Sequence, residues 1–105
     1  MLGERIALLR RGRGWNQAEL ARRLHISTSA VGMYEQGRRE PSLEGLVKLA
    51  AVLEVSADYL LTGKPLVEAD RRAISKAAGA VGPIRSGGFS REELSVLFAS
   101  LLTEP

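Results

Sequence analysis

Few side chains in this sequence could perform catalysis, and their types favour binding instead. The chain has one histidine, His25, and no cysteine. His25 has no acidic neighbour in the sequence, so the nucleophile, base and orienting group of covalent catalysis are not brought together. The absence of cysteine excludes disulfides and thiolate metal sites, and a single histidine cannot form a multi-histidine site. We therefore predict that the protein is not an enzyme and holds no metal or cofactor.

The distribution of charge points to an anionic partner. The 105 residues carry a net charge of +3. Residues 1–64 contain ten basic and seven acidic side chains, whereas residues 65–105 contain five of each. A local surplus of positive charge attracts polyanions. We expect the N-terminal two thirds of the chain to bind one.

The apolar residues predict a globular core and no membrane segment. They make up 45% of the sequence, which is in the range of folded domains. The longest apolar stretch, residues 46–53, is interrupted by Lys48 and is far shorter than the roughly 20 residues needed to cross a bilayer. The N-terminus does not resemble a signal peptide. We expect a cytoplasmic protein without membrane contact.

Start and stop signals divide the first 64 residues into short helices. Leu2, Ile6 and Leu9 share one face of a first helix, which the glycines at 12 and 14 should end. Asn16 is the predicted N-cap of a second helix that runs to about Leu24. In that helix Glu19 occupies the capping-box position. Trp15, the residue before the cap, is predicted to pack on Leu20 as a hydrophobic staple.

The same signals recur three more times. Ser27 should begin a third helix, from about residue 28 to 36, that Gly37 ends. Ser42 should begin a fourth and Ser56 a fifth, which Gly63 ends. The apolar stripe of the fourth helix is predicted to be Leu43, Leu46, Val47, Ala50 and Leu53. No stretch alternates as a strand would, so we predict an all-α, five-helix domain over residues 1–64.

Residues 65–105 form a predicted helical extension. Pro65 suits the first position of a sixth helix, with Val67, Ile74, Ala77 and Ala78 on one face. A Gly-rich joint, residues 79–88, should separate it from a last helix. The apolar stripe of that last helix is predicted to be Leu94, Leu97, Phe98, Leu101 and Leu102. Such a stripe must be buried, so we predict a homodimer or partner interface, with folding back onto the domain as the alternative.

The second and third helices are separated by only three residues, 25–27, and the small Ala21 lies where they should approach each other. The sequence from residue 17 to 36 reads QAELARRLHISTSAVGMYEQ. It resembles the helix-turn-helix of the Cro/XRE family, also called lambda-repressor-like, and the resemblance extends over about residues 2–63. His25 departs from the pattern, because the family usually has glycine in this turn.

The resemblance implies double-stranded DNA as the partner, with the third helix in the major groove. It places four residues of that helix at the base edges: Thr28, Ser29, Gly32 and Met33. It places five further residues at the phosphate backbone: Gln17, Tyr34, Gln36, Arg38 and Arg39. We interpret the arginines at 10, 11 and 13 as a solvated face, while the roles of those at 22 and 23 stay open.

The family further implies a sequence-specific transcriptional regulator that represses by binding an inverted-repeat operator as a dimer. One alternative is an antitoxin whose C-terminal tail neutralises a toxin partner. Another is a protein-interaction module that no longer uses its DNA-binding motif. The layout of the extension also loosely resembles regulators whose C-terminal helices dimerise and dock a protein antagonist.

Overall fold

The computed structural model describes residues 1–81, which form six helices joined by short turns. It forms α1 (Leu2–Gly12), α2 (Gln17–Leu24), α3 (Thr28–Gln36), α4 (Leu43–Leu53), α5 (Ala57–Thr62) and α6 (Glu68–Val81). Residues 1–81 contain no strand. The all-α fold and its five N-terminal helices are therefore confirmed. The predicted interface residues Leu94, Leu97, Phe98, Leu101 and Leu102 lie outside the described residues.

Side-chain caps set the starts of four helices. Asn16, Ser27, Ser42 and Ser56 each accept a hydrogen bond from the backbone N–H three residues further on, at 2.8–3.1 Å. Such a bond satisfies a donor that has no partner within the helix. These bonds confirm the predicted starts of α2 to α5. The starts could be predicted from the sequence because each depends on contacts within a few residues.

The turn between α2 and α3 depends on an unusual backbone conformation. His25 ends α2 with φ of 57° and ψ of 42°, in the left-handed region. A β-carbon is disfavoured there, although histidine tolerates the region better than most residues. His25 thus adopts the conformation for which glycine is usual, and the turn keeps its three-residue length.

The core lies between α1 and the surrounding helices. Its fully buried large side chains are Ile6, Leu20, Val31, Leu49, Leu53, Leu60 and Ile74. The predicted stripe of α4 is partly wrong, since Leu43 is 80% and Val47 57% exposed, whereas Leu49 is buried. A second face of α4 also has helical spacing, and this is the face that packs into the core: Leu46, Leu49, Ala50 and Leu53.

The sixth helix begins later than predicted. Pro65 precedes α6 by three residues, and Val67 is 44% exposed, so neither has its predicted role. The buried Asp70 sets the start instead. Its carboxylate accepts hydrogen bonds from the backbone N–H groups of Leu66 and Val67 and from both the N–H and the hydroxyl of Ser56, at 2.6–3.1 Å. This cluster joins the start of α6 to the start of α5.

Residues beyond 64 share the core of the preceding helices. Ala73, Ile74 and Ala77 of α6 are buried against the rest of the structure. The packed unit therefore continues past residue 64, where the sequence placed the end of the domain. α6 also includes Gly79 and extends to Val81, so the helix runs into the segment predicted as a Gly-rich joint.

Two glycines let neighbouring helices approach α1 closely. A β-carbon at Gly3 would lie 2.5 Å from the carbonyl oxygens of Tyr34 and Glu35 in α3, and one at Gly12 would lie 2.7 Å from the backbone nitrogen of Ala77 in α6. Nine residues of α-helix rotate by about 180° and advance by about 13 Å. α3 and α6 therefore pack on opposite sides of α1.

Candidate nucleic-acid interface

The packing of α2 against α3 determines which residues face outward. Leu20, Ala21 and Leu24 of α2 are buried, as are Ala30 and Val31 of α3. The backbone N–H of Ile26 donates to the carbonyl of Ala21 at 3.0 Å and closes the turn between the helices. With its inner face fixed in this way, α3 presents the opposite face to solvent.

The four predicted base-reading residues lie together on that outward face. Thr28 and Ser29 are exposed, and Gly32 and Met33 are half-buried. At about 100° per residue they span an arc of roughly 140°. The group has hydroxyls, a thioether and a bare stretch of backbone, but no charged side chain.

Gly32 stands out because the protein itself does not require a glycine there. A β-carbon on it would meet only the Oε1 atom of Gln17, at 3.9 Å, which is an ordinary van der Waals distance. Its backbone is helical, so it does not need the conformational freedom of glycine either. A glycine inside a helix costs about 1 kcal/mol relative to alanine. Packing within residues 1–81 gives no reason for this cost.

An ion pair connects α1, α2 and α3 behind the outward face. The Arg10 guanidinium donates to both carboxylate oxygens of Glu35, at 2.7 and 3.1 Å, and the two side chains are only 12% and 8% exposed. The Gln17 amide donates to Glu35 at 2.9 Å, and Arg10 also donates to the Trp15 carbonyl at 2.8 Å. The network fixes the position of Gln17 at the start of α2.

The interpretation of Arg10 as a solvated residue is therefore wrong. Its partner is 25 residues away, so local spacing does not show the contact. One sequence signal could have indicated it. Glu35 is the only acidic residue of α3, and a helix that approaches a polyanion requires such a charge to be neutralised.

Several other arginines are also engaged within the protein. Arg13 pairs with Glu54 at 2.7 Å, and Arg23 pairs with Glu19 at 2.8 Å. The Arg23 guanidinium stacks on the Trp15 ring, 4.1 Å from its centroid, so Trp15 packs under an arginine. Glu19 also binds Arg22, and hydrogen bonding to Arg22 lowers the pKa of the Glu19 carboxyl. The predicted capping-box glutamate thus serves as an arginine partner.

The remaining predicted contacts lie at the C-terminal end of α3 and just after it. Gln36, Arg38 and Arg39 are exposed, and the two arginines form no ion pair with any residue of 1–81. Tyr34 is half-buried and lines a cleft of about 180 Å³ between the α2–α3 turn and the start of α4. The structure therefore places Tyr34 apart from the outward face of α3.

A helix-turn-helix family matches residues 6–60 of this chain. This match covers α2, α3 and the turn between them, together with all of α4 and most of α1 and α5. More than half of the chain is thus accounted for by one family.

Individual relatives carry names of regulators. An uncharacterised prophage-derived transcriptional regulator YonR of Bacillus subtilis is 43% identical over 63 residues, which are 60% of this chain and 58% of YonR. The transcriptional regulator SinR of Bacillus licheniformis is 31% identical over 94 residues, 89% of this chain and 85% of SinR. Repressor protein C2 of Salmonella phage P22 is 36% identical over 63 residues, 60% of this chain and 29% of C2.

The extent of these matches differs between relatives. The matched stretch covers about half the length of YonR and of the regulator ImmR of Bacillus subtilis, at 58% and 47%. No solved structure is significantly similar to the chain. The family consists of DNA-binding regulators, which confirms the prediction that the protein is not an enzyme. The chain belongs to the helix-turn-helix family of the Cro/XRE type.

Proposed function

We propose that this protein is a sequence-specific transcriptional repressor that inserts α3 into the major groove of DNA. One observation carries the proposal. The outward face of α3 consists of the uncharged residues Thr28, Ser29, Gly32 and Met33. The only carboxylate of the helix, that of Glu35, is 8% exposed and paired with Arg10. A helix with this arrangement approaches a polyanion without repulsion and presents groups that bond to base edges.

The chemistry of the outward face fits the major groove. The hydroxyls of Thr28 and Ser29 donate and accept, so they bond to either kind of group on a base edge. The methyl group of Thr28 and the thioether of Met33 suit the methyl group of thymine. Gly32, with no side chain, lets the helix backbone come close to the bases.

Contacts to the phosphate backbone orient the helix in the groove. The amide nitrogen of Gln17 carries two hydrogens, of which Glu35 takes one at 2.9 Å, and the other donates to a phosphate. Arg38 and Arg39 supply unpaired positive charge just after α3, and Gln36 and Tyr34 supply further donors. These contacts contribute affinity without sequence preference.

We further propose that two copies bind an inverted repeat, with recognition helices about 34 Å apart. The support is a sequence pattern that must be buried against another surface, the apolar stripe of Leu94, Leu97, Phe98, Leu101 and Leu102. A second copy offers the same stripe and buries both. Repression as the outcome is supported by relatives named as repressors, among them phage P22 C2 and RstR of Vibrio cholerae.

The test begins with selection of bound fragments from random duplex DNA, which gives the operator. Thr28→Ala and Ser29→Ala are each expected to weaken operator binding by about 1–3 kcal/mol and to leave binding to random DNA unchanged. Ser75→Ala, at an exposed position of α6, is the matched control and should change neither. An equal loss on operator and random DNA would refute base reading by these residues.

The assembly is tested separately by light scattering of the full chain. The double substitution Leu97→Glu, Leu101→Glu should convert the dimer to a monomer and weaken operator binding more than binding to a single half-site. A variant that stays dimeric would place the interface elsewhere in the chain.

Repression is tested with a reporter gene placed behind the selected operator. The gene should be transcribed less when the protein is present, and increased transcription would contradict repression.

A further inference from the structure

We propose that Arg11 is an additional contact to the DNA backbone, where its guanidinium binds a phosphate next to the one held by Gln17. The proposal rests on the proposed function and adds to it a residue for which the sequence favoured mere solvation. It follows from a comparison of the arginines of α1 and from the groove in which Arg11 lies.

Arg11 differs from Arg5, Arg10 and Arg13 because its side chain forms no hydrogen bond or ion pair with any of the described residues. Arg5 is buried and donates to the Leu60 carbonyl at 2.6 Å. Arg10 binds Glu35, and Arg13 binds Glu54. Arg11 is exposed and forms no ion pair within residues 1–81. Its charge is therefore available to a ligand.

The position of Arg11 brings this charge to the proposed DNA-binding side. Arg11 lines a groove of about 380 Å³ together with Gln17 and Gln36, both of which are candidate backbone contacts. α1 ends at Gly12, one residue after Arg11, and the N–H of Gly14 donates to the Arg11 carbonyl at 2.9 Å in the turn that leads to α2. Arg11 thus lies at the end of the groove where α2 begins.

The acidic residues of the groove do not cancel the charge of Arg11. Glu35 is already bound by Arg10. Glu4, the other acid, is two turns away on the same helix, about 10 Å along its axis, and is exposed to solvent. A guanidinium that is unpaired, exposed and flanked by amide donors suits a phosphodiester, which it binds through two parallel hydrogen bonds.

Arg72 provides a matched control. It is an exposed arginine of α6 with no ion pair among the described residues. α6 packs on the side of α1 opposite α3, so Arg72 lies on a different element, across α1 from the recognition helix. Arg11→Gln and Arg72→Gln each remove one positive charge, so the change in net charge is the same.

The experiment measures the affinity of the full chain and both variants for the selected operator and for random duplex DNA over a range of salt concentrations. Arg11→Gln should weaken binding to both DNAs by about tenfold at low salt and reduce the slope of log K against log salt by about 0.9. Arg72→Gln should leave that slope unchanged. Arg11→Lys, which keeps the charge but loses the two-point geometry, should restore most of the slope and part of the affinity.

The outcomes separate the two proposals. If the wild-type chain selects an operator but Arg11→Gln behaves as Arg72→Gln does, the assignment of Arg11 is overturned and the proposed function stands. A loss confined to the operator would also overturn it, since a phosphate contact does not distinguish sequences. If wild-type protein binds no DNA, both proposals fail. A thermal melt of each variant verifies that an exposed substitution has left the fold intact. If Arg11→Gln is unstable, the test is the affinity of Arg11→Lys, which should be partly reduced on both DNAs.

Discussion

Replacement of Gly32 by alanine should stabilise the protein and impair DNA binding at the same time. The stabilisation follows from the position of Gly32 in the middle of α3, where glycine costs about 0.8–1.0 kcal/mol relative to alanine. The added methyl group would meet only the Oε1 atom of Gln17, at 3.9 Å, so no clash offsets the gain. We expect the free energy of unfolding to rise by about 0.5–1 kcal/mol, which corresponds to an increase in Tm of roughly 2–8 °C for a domain of this size.

The loss of binding has a different origin. Gly32 lies between Thr28 and Met33 on the outward face of α3, and a methyl group there keeps the helix backbone from close approach to the base edges. Because the proposed contacts of Thr28 and Ser29 to base edges depend on that approach, operator affinity should fall by about 1–3 kcal/mol. Binding to random DNA, which depends on phosphate contacts, should change much less.

The assays are thermal or urea unfolding for stability and titration of labelled operator for affinity. Gly79→Ala is the control, since Gly79 lies in α6 and a β-carbon on it would have no neighbour within 4 Å. This control should be as stable as wild type or more so and should bind the operator with unchanged affinity. If Gly32→Ala binds the operator as tightly as wild type, the glycine does not serve close approach to DNA. If it is less stable than wild type, the reasoning on helix propensity is also wrong.

Three further predictions concern the ion pairs and charges. Glu35→Gln should lower the free energy of unfolding by about 3 kcal/mol in urea titrations, because it leaves the largely buried Arg10 without its charged partner, whereas replacing both residues by leucine or methionine should cost much less. For Asp70, burial raises the pKa, but hydrogen bonds from three residues outweigh it and the net pKa is lowered from 3.8. Its stabilisation should therefore be complete above about pH 4 and disappear as the pH falls through the lowered folded-state pKa. Asp70→Asn should accordingly be less stable than wild type at neutral pH, with a difference that shrinks in acid. Replacement of Arg38 and Arg39 by alanine should reduce the salt dependence of DNA binding by about one unit of slope for each phosphate that the protein no longer binds, and an unchanged slope would show that this segment is only solvated.

Prediction from the sequence was accurate where the deciding contacts are local. The starts of α2 to α5 depend on hydrogen bonds between a cap and an N–H three residues later, so the residue type at one position was sufficient. The ends of these helices followed from residues such as Gly37 and Gly63, which adopt positive φ. Prediction failed for the apolar stripe of α4, because an apolar pattern can satisfy two overlapping helical faces and only packing selects between them. It failed for the start of α6, because that start depends on hydrogen bonds between Asp70 and Ser56, which are 14 residues apart.

The amino-acid sequence alone was enough to predict that residues 1–81 form helices and no strand, that they contain a helix-turn-helix and which residues lie on α3. Tertiary structure decided which basic side chains remain available to a ligand. Arg10 and Glu35 are 25 residues apart, Arg13 and Glu54 are 41 apart, and both pairs form only once the helices have packed. A local pattern specifies the conformation of a helix because its hydrogen bonds span a few residues. The partner of a charge depends on how distant helices are placed. For that reason only the structure distinguished Arg10, which is paired, from Arg11 beside it, which forms no ion pair within residues 1–81.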